Sequence, residues 1–154
     1  MRECFAMSIL VKDVMTKNVM TIESSEPAKK AAELMGKYDI GCLIVMNEEK
    51  PTGIITERDM LKKVLLQFRD PRMTRVGDIM STPLIASNPE TELGEAMRLM
   101  NERRIKKIPI VKDGCLIGLL TLTDVVRSTG YLEHIITSLC SRCKWGKNHS
   151  NTPP

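Results

Sequence analysis

The spacing of apolar residues changes several times along the first half of the chain, and each change predicts a new element. Apolar positions at three- and four-residue intervals over 28–35 predict a helix with one buried stripe. The apolar stretch 19–22 before it predicts a short strand. The apolar runs 41–46 and 52–55, separated by a polar turn, predict a hairpin, and the pattern over 60–68 predicts a closing helix. The order is β-α-β-β-α.

The same order returns 65 positions later. Residues 11–62 aligned without gaps on residues 76–127 share ten identities in 52 positions. The identities include a glycine, a threonine and an aspartate near the end of each copy, namely Gly53, Thr56, Asp59, Gly118, Thr121 and Asp124. The second copy predicts strands at 84–87, 107–111 and 116–120, and helices at 93–100 and from Val125 onward. The chain carries two copies of one supersecondary unit.

These patterns predict an α+β fold. We expect the first unit at 9–68, a polar linker at 69–75, the second unit at 76–130, and a C-terminal helix and tail at 131–154. A unit of about 60 residues buries too little surface to be robust alone. We therefore expect the two units to dock sheet to sheet as one pseudo-two-fold module.

Composition narrows the possible functions of this chain. Its 154 residues are 42% hydrophobic and 27% charged, and the longest apolar run has seven residues, where a membrane helix needs about 20. The N-terminus lacks a signal-peptide pattern, so we expect a cytoplasmic protein with no membrane partner. A net charge of +4 and 3% aromatic residues make nucleic acid an unfavoured partner.

Catalysis is not expected. The two histidines, His134 and His149, follow residue 130, and no phosphate loop or nucleophile–base pair is visible. The five cysteines are an odd number without a secretory context, so free thiols are expected.

Three motifs recur in each copy. The first copy begins with Val-Lys-Asp-Val-Met (11–15), continues through Ala31–Met35 into a strand, and ends with Gly-Ile-Ile-Thr-Glu-Arg-Asp (53–59). The second has Val-Gly-Asp-Ile-Met (76–80) and Gly-Leu-Leu-Thr-Leu-Thr-Asp (118–124) in the same places. Two tandem units with these motifs resemble a CBS domain pair, also called a Bateman module.

The resemblance implies a regulatory, non-catalytic module that senses adenosine-containing ligands. AMP, ADP or ATP, and in some pairs S-adenosylmethionine or NAD, would lie in clefts between the two units. Such pairs commonly form homodimers through their helices, and an effector protein of unknown identity would respond to the ligand. No cofactor is required beyond the nucleotide ligand.

The Gly-x-x-Thr-x-x-Asp motif has a structural and a functional interpretation. A threonine with an acidic residue three positions later forms a capping box at a helix start. The resemblance adds that Asp59 or Asp124 accepts the ribose hydroxyls and that Thr56 or Thr121 donates to a phosphate. The two interpretations are compatible.

The copies differ in charge before their middle strands. Lys106 and Lys107 stand where the first copy has Gly41 and Cys42. The resemblance places basic groups at these positions on the nucleotide phosphates, beside the aspartate of the second unit.

We therefore expect the cleft of Asp124 to bind an anionic nucleotide more tightly. Thr121, Lys106 and Lys107 would hold its phosphates, and residues near Thr21 and Ile22 would form the adenine pocket. The cleft of Asp59 would rely on Thr56 and Arg58. The alternative interpretation of the basic residues is a solvated helix end that complements the helix dipole.

The C-terminal region contains a Cys-x-x-Cys sequence. Cys140 and Cys143 resemble the first knuckle of a zinc ribbon, and His149 is a possible third ligand. The alternative is a degenerate knuckle on a terminal tail. Lys144, Trp145 and Lys147 support a competing function, a constitutive dimeric module that binds protein or nucleic acid and has vestigial clefts.

Overall fold

The computed structural model describes residues 9–128. Its strands are β1 (Thr21–Glu23), β2 (Cys42–Asn47), β3 (Lys50–Thr56), β4 (Lys107–Lys112) and β5 (Cys115–Thr121). Its helices are α1 (Val11–Val14), α2 (Ala28–Tyr38), α3 (Glu57–Asp59), α4 (Val76–Ile79), α5 (Leu93–Arg103) and α6 (Leu122–Arg127). A π-helical segment, Met60–Leu65, continues α3. Within this part of the chain, no helix is long and apolar enough to cross a membrane.

The strands form two sheets that follow the predicted order. In the first sheet β1 pairs parallel with β2, and β2 pairs antiparallel with β3. In the second sheet β4 pairs antiparallel with β5. β3 and β5 contact each other, so the two sheets meet along these strands. The mixed α+β architecture of two tandem units is confirmed, with the order β-α-β-β-α in the first unit.

One predicted strand is wrong. Residues 84–87 form no strand, and only Ser87 bridges to Ile110 of β4. In the first unit the Ile44 amide donates to the Met20 carbonyl and anchors the chain ahead of β1. The equivalent residue in β4 is Pro109, which has no N–H to donate. Loss of this bond leaves the second sheet with two strands.

Each unit has its own hydrophobic core, but each core includes a segment that comes from the other repeat. The first core contains Ile22, Leu43 and Ile55, and α4 adds Val76 and Ile79 to it. The second core is completed in the same way by α1. Its buried members are Val11, Leu93, Ala96, Met100, Ile108, Ile110, Leu120 and Val125. The residues at the start of each repeat, which we call the leading segments (10–16 and 75–81), are therefore exchanged.

The repeated glycines make this exchange possible. The first leading segment exchanges two backbone hydrogen bonds between Thr16 and Leu119, and the second does so between Ser81 and Ile54. A Cβ on Gly53 would lie 2.5 Å from Met80 Sδ and 2.9 Å from the Ser81 carbonyl oxygen. A Cβ on Gly118 would meet Met15 in the same way. The close approach of backbone to strand thus requires glycine at both positions.

Lys63 ties the second leading segment to the helical end of the first unit. Its Nζ donates to the carbonyl oxygens of Ile79 at 2.6 Å and Met80 at 3.4 Å, and lies 2.8 Å from Asp59 Oδ1. Burial raises the pKa of Asp59, but hydrogen bonds from Lys63 and Thr56 and the charge of Lys63 outweigh burial, so the pKa is lowered. The second unit has Ser128 at the equivalent position and lacks this tie.

Gly53→Ala is expected to lower the free energy of unfolding by about 1–3 kcal/mol, because Met80 and Ser81 must move to admit the methyl group. The matched control is Gly36→Ala in α2, where nothing lies within 4 Å of the added Cβ. That change is expected to raise the stability by up to about 1 kcal/mol through helix propensity. Urea unfolding followed by circular dichroism measures both. Equal effects of the two changes would contradict the close approach.

Lys63→Met is expected to lower the free energy of unfolding by about 1–3 kcal/mol at neutral pH, whereas exposed Lys62→Met changes it by less than about 0.5 kcal/mol. Asp59 has a lowered pKa, so its ion pair stabilises the fold above the unfolded-state value of about 3.9. That contribution is lost as the pH falls through the folded-state pKa. The difference between wild type and Lys63→Met in urea unfolding should therefore shrink as the pH falls below about 4. A constant difference would show that only the carbonyl contacts matter.

Candidate functional site

The Thr and Asp of the repeated motif form the capping box predicted for them. In the first unit Thr56 Oγ1 donates to Asp59 Oδ2 at 2.7 Å, and the Asp59 amide donates back to Thr56 Oγ1 at 3.2 Å. Thr121 and Asp124 repeat the arrangement at 2.6 and 3.1 Å. Each threonine hydroxyl thus already has an acceptor in its own unit. One carboxylate oxygen of each aspartate remains for other partners.

Two cavities lie beside these capping boxes, and most of their lining residues correspond across the repeat. The first, the Asp59 cavity, has a volume of about 470 Å³ and lies between Thr56–Asp59, the second leading segment and the start of β4. The second, the Asp124 cavity, has a volume of about 360 Å³ and lies between Thr121, Asp124, the first leading segment and the start of β2. Both lie where the two units meet, as predicted for the clefts.

Lys106 does not lie where the sequence placed it. It lines the Asp59 cavity together with Thr56 and Arg58, whereas Lys107 lines both cavities. The two adjacent lysines therefore share the Asp59 cavity, and only Lys107 also reaches the Asp124 cavity. The sequence placed Lys106 with Thr121 and Lys107 beside Asp124, whereas the structure brings only Thr121 and Lys107 together there.

Thr21 and Ile22, which were expected near the adenine pocket, do not line the Asp124 cavity. Ile22 is only 5% exposed and belongs to the first core, and Thr21 does not line the Asp124 cavity. The residues just before β1 line this cavity instead, namely Asn18, Val19 and Met20. Pairing of β1 with β2 turns Ile22 inward, so the apolar alternation that predicted the strand also marked Ile22 as a core residue.

The two cavities differ in charge. The Asp59 cavity brings four basic residues together against two acidic ones: Arg58, Arg104, Lys106 and Lys107 against Glu57 and Asp59. The Asp124 cavity has two of each: Lys107 and Arg127 against Asp39 and Asp124. The basic site is thus the opposite one from that predicted by the sequence.

The two aspartates also differ in what they offer a ligand. Asp59 is 8% exposed, and its Oδ1 contacts Lys63 at 2.8 Å and accepts from Ser81 Oγ at 3.3 Å. Asp124 is half-buried, and its Oδ1 has only a long bond of 3.4 Å from Thr16 Oγ1. The negative charge of Asp59 is therefore largely neutralised by Lys63, whereas within residues 9–128 no ion pair neutralises Asp124.

Asp39 and Arg104 are cavity residues that the sequence analysis missed. They occupy equivalent positions at the ends of α2 and α5, both in the left-handed conformation with φ of 51° and 53°. This turn carries each of them to the rim of a different cavity, Asp39 to that of Asp124 and Arg104 to that of Asp59. The repeat alignment already pairs an acid with a base here, which was the available signal.

Cys42 lies in the wall of the Asp124 cavity. Its thiol is free and 7% exposed, and burial raises its pKa, although the neighbouring Lys107 ammonium opposes the effect. Exposed Cys115 is also free, in agreement with the prediction of free thiols for these two residues. Residues 9–128 contain no cluster of His, Cys, Asp or Glu that could hold a metal ion. The predicted ligands Cys140, Cys143 and His149 lie outside the described residues.

Comparison with known proteins agrees with the fold. The CBS domain matches the chain twice, at residues 11–66 and 76–130. The protein MK0525 of Methanopyrus kandleri is 39% identical over 127 residues, which cover 81% of this chain and 65% of that protein. The chain therefore spans less than two thirds of this relative's length.

Two solved structures are similar to this chain. The hexameric CBS-CP12 protein from bloom-forming cyanobacteria is 32% identical with a TM-score of 0.75, and the match covers 82% of this chain and 71% of that one. The CBS domain pair of protein MJ0100, in complex with 5-methylthioadenosine and S-adenosylmethionine, is 28% identical with a TM-score of 0.73. This second match covers 81% of this chain and 98% of that one. CBS domain pairs are regulatory modules, and this chain belongs to the CBS domain family, with two tandem copies that form one pair.

Proposed function

We propose that this protein is a non-catalytic regulatory module that binds an adenosine nucleotide, with the phosphates in the Asp59 cavity. The observation that carries the proposal is the convergence of Arg58, Arg104, Lys106 and Lys107 on one cavity. Lys63 neutralises Asp59 at the same place, so an incoming anion meets little repulsion. Guanidinium and ammonium groups around one cavity are the donors that phosphate oxygens require.

The apolar walls of this cavity suit the nucleoside part of such a ligand. Ile54 and Ile105 line the cavity from opposite units and offer two surfaces between which an adenine ring can pack. Asp59 Oδ1 and Ser81 Oγ supply polar atoms in the same cavity, and both can form hydrogen bonds with ribose hydroxyls. The aspartate would exchange its contact with Ser81 for the ribose.

The Asp124 cavity favours a different adenosine compound. With two acidic and two basic residues it has no excess of positive charge, and Asp124 Oδ1 is available to ribose hydroxyls. The similar CBS pair of MJ0100 was crystallised with 5-methylthioadenosine and S-adenosylmethionine, neither of which carries a phosphate. We therefore assign the Asp124 cavity to an adenosine compound of low negative charge, or to a nucleotide bound more weakly than in the Asp59 cavity.

The helices that close the two units present an apolar surface that supports a homodimer. Leu61, Leu65 and Phe68 are 49%, 67% and 97% exposed, and Leu122 and Val126 of α6 are 43% and 46% exposed. Leu61 and Val126 are equivalent in the repeat. A second copy that packs its own closing helices against this surface would remove it from water.

Arg104→Asn is expected to weaken ATP binding roughly 10- to 100-fold, because one charge-assisted hydrogen bond to a phosphate is lost. The matched control is Asp39→Asn at the equivalent position of the other cavity. Asparagine tolerates the left-handed conformation that both residues adopt, so neither change strains the backbone. Asp39→Asn should leave the tighter ATP site unchanged in isothermal titration calorimetry.

Two outcomes of that titration would contradict the proposal. If wild-type protein binds neither AMP, ADP nor ATP, the cavities do not serve nucleotides, and the interaction module becomes the better explanation. If Asp39→Asn rather than Arg104→Asn changes the tight site, nucleotide binds tightly beside Asp124, as the sequence alone predicted.

The double change Leu61→Asp and Leu65→Asp is expected to dissociate the homodimer, because it places charges in the apolar surface. Both side chains are about half exposed or more, so the fold of one chain should persist. Light scattering after size exclusion should give the mass of one chain for this variant and of two for wild type. Lys62→Asp, one residue along the same segment, is the control and should remain dimeric. A monomeric wild type would refute the dimer.

A further inference from the structure

Two residues belong to both cavities. Gly41 and Lys107 line the Asp59 cavity and also the Asp124 cavity. All other lining residues identified in the two cavities belong to one or the other. Lys107 therefore holds the one basic group that faces both.

The Lys107 ammonium lies between the two cavities. A Cβ on Gly41 would lie 2.9 Å from Lys107 Nζ and 3.0 Å from Glu57 Oε2, and Glu57 lines the Asp59 cavity. On its other side Lys107 contacts Cys42, which lines the Asp124 cavity. The missing side chain of Gly41 leaves the space through which the ammonium reaches both.

No carboxylate of residues 9–128 holds Lys107 in an ion pair, in contrast to Lys63, which Asp59 fixes at 2.8 Å. The lysine stem has four rotatable bonds, so Nζ can turn toward either cavity at small cost. The charge of Lys107 is thus available to whichever cavity holds an anion.

Movement of this one charge changes the balance in the cavity that loses it. When Lys107 turns to a phosphate beside Asp59, the Asp124 cavity keeps Arg127 against Asp39 and Asp124. That cavity then has an excess of negative charge. When Lys107 turns the other way, the Asp59 cavity keeps three of its four basic residues and binds an anion less tightly.

We propose that Lys107 is a shared cation for which the two cavities compete, so that an anionic ligand in one cavity weakens the binding of an anionic ligand in the other. This inference rests on the proposed function, since it requires both cavities to admit a nucleotide. Coupling between two sites is reciprocal, so the weakening is equal in both directions. A factor of about ten is expected, which lies within the usual range for coupled sites.

The test is a thermodynamic cycle with AMP as the probe. Thr123→Trp fills the Asp124 cavity, and Arg58→Trp, at the equivalent position, fills the Asp59 cavity. Both positions are exposed, so the fold should tolerate the larger side chain. Each blocked variant gives the dissociation constant of the remaining cavity with the other one empty. Titration of the wild type gives the dissociation constants for the first and the second AMP, and their product is used below.

In wild type that product should exceed the product of the two single-cavity constants about tenfold. In the Lys107→Met background, the same three titrations should give equal products, because the shared charge is gone and the apolar stem remains. Lys106→Met is the matched control. It removes one charge from the Asp59 cavity alone, so it should weaken that cavity and leave the tenfold coupling in place.

The outcomes separate this inference from the proposed function. Binding of AMP in both cavities with equal products in wild type would overturn the coupling and leave the proposed function intact. Coupling that survives Lys107→Met, or that Lys106→Met also abolishes, would overturn the role of Lys107. One AMP per chain in every background would overturn the coupling as well. No AMP binding in any variant would refute the proposed function itself, and the coupling with it.

Discussion

The cores of both units depend on the exchange of their leading segments. A unit of about 60 residues has too little interior to be stable alone, and here each core is completed by apolar residues from the start of the other repeat. Val11 closes the second core, and Val76 and Ile79 close the first. The exchange requires each segment to cross a strand at van der Waals distance, which is possible only over Gly53 and Gly118. The same crossings carry Thr16 and Ser81 to the two aspartates, so the packing of the cores and the walls of the cavities have one origin.

Most of the secondary structure could be predicted from the sequence because its causes are local. The apolar period over Ala28–Tyr38 and the capping box of Thr56 and Asp59 act within a few residues, and both appear in the structure as expected. The strand predicted at 84–87 is absent for a reason that is distant along the chain, since Pro109 cannot donate the bond that Ile44 donates in the first unit. The exchange of segments was not predictable in this way. Alignment of two repeats shows which residues are equivalent, not which copy they pack against.

In the candidate site, too, residues with a local role could be predicted and residues placed by the contact between the units could not. Asp59, Thr56, Asp124 and Thr121 were identified because their motif is repeated and their geometry is local to one helix start. Lys106 was expected beside Asp124 but lines the Asp59 cavity, because its placement depends on how the two units meet. Asp39 and Arg104 carry opposite charges at one repeat position, and only the left-handed turn after each helix shows that they reach cavities. Charge differences between repeats are therefore informative only once the pseudo-two-fold relation is known in space.

The exchanged segments have a consequence for the origin of the fold. A single repeat contains one core and one leading segment. In the structure this segment packs into the core of the other unit and not into its own. Two separate copies of such a repeat would complete their cores in this way only as an intertwined pair, in which each copy supplies its leading segment to the other. Fusion through a connection such as 69–75 turns that association into an intramolecular one, with an effective concentration in the millimolar range. In one chain the two halves can differ in sequence, and the opposite charges of Asp39 and Arg104 at one repeat position give the two cavities different rims.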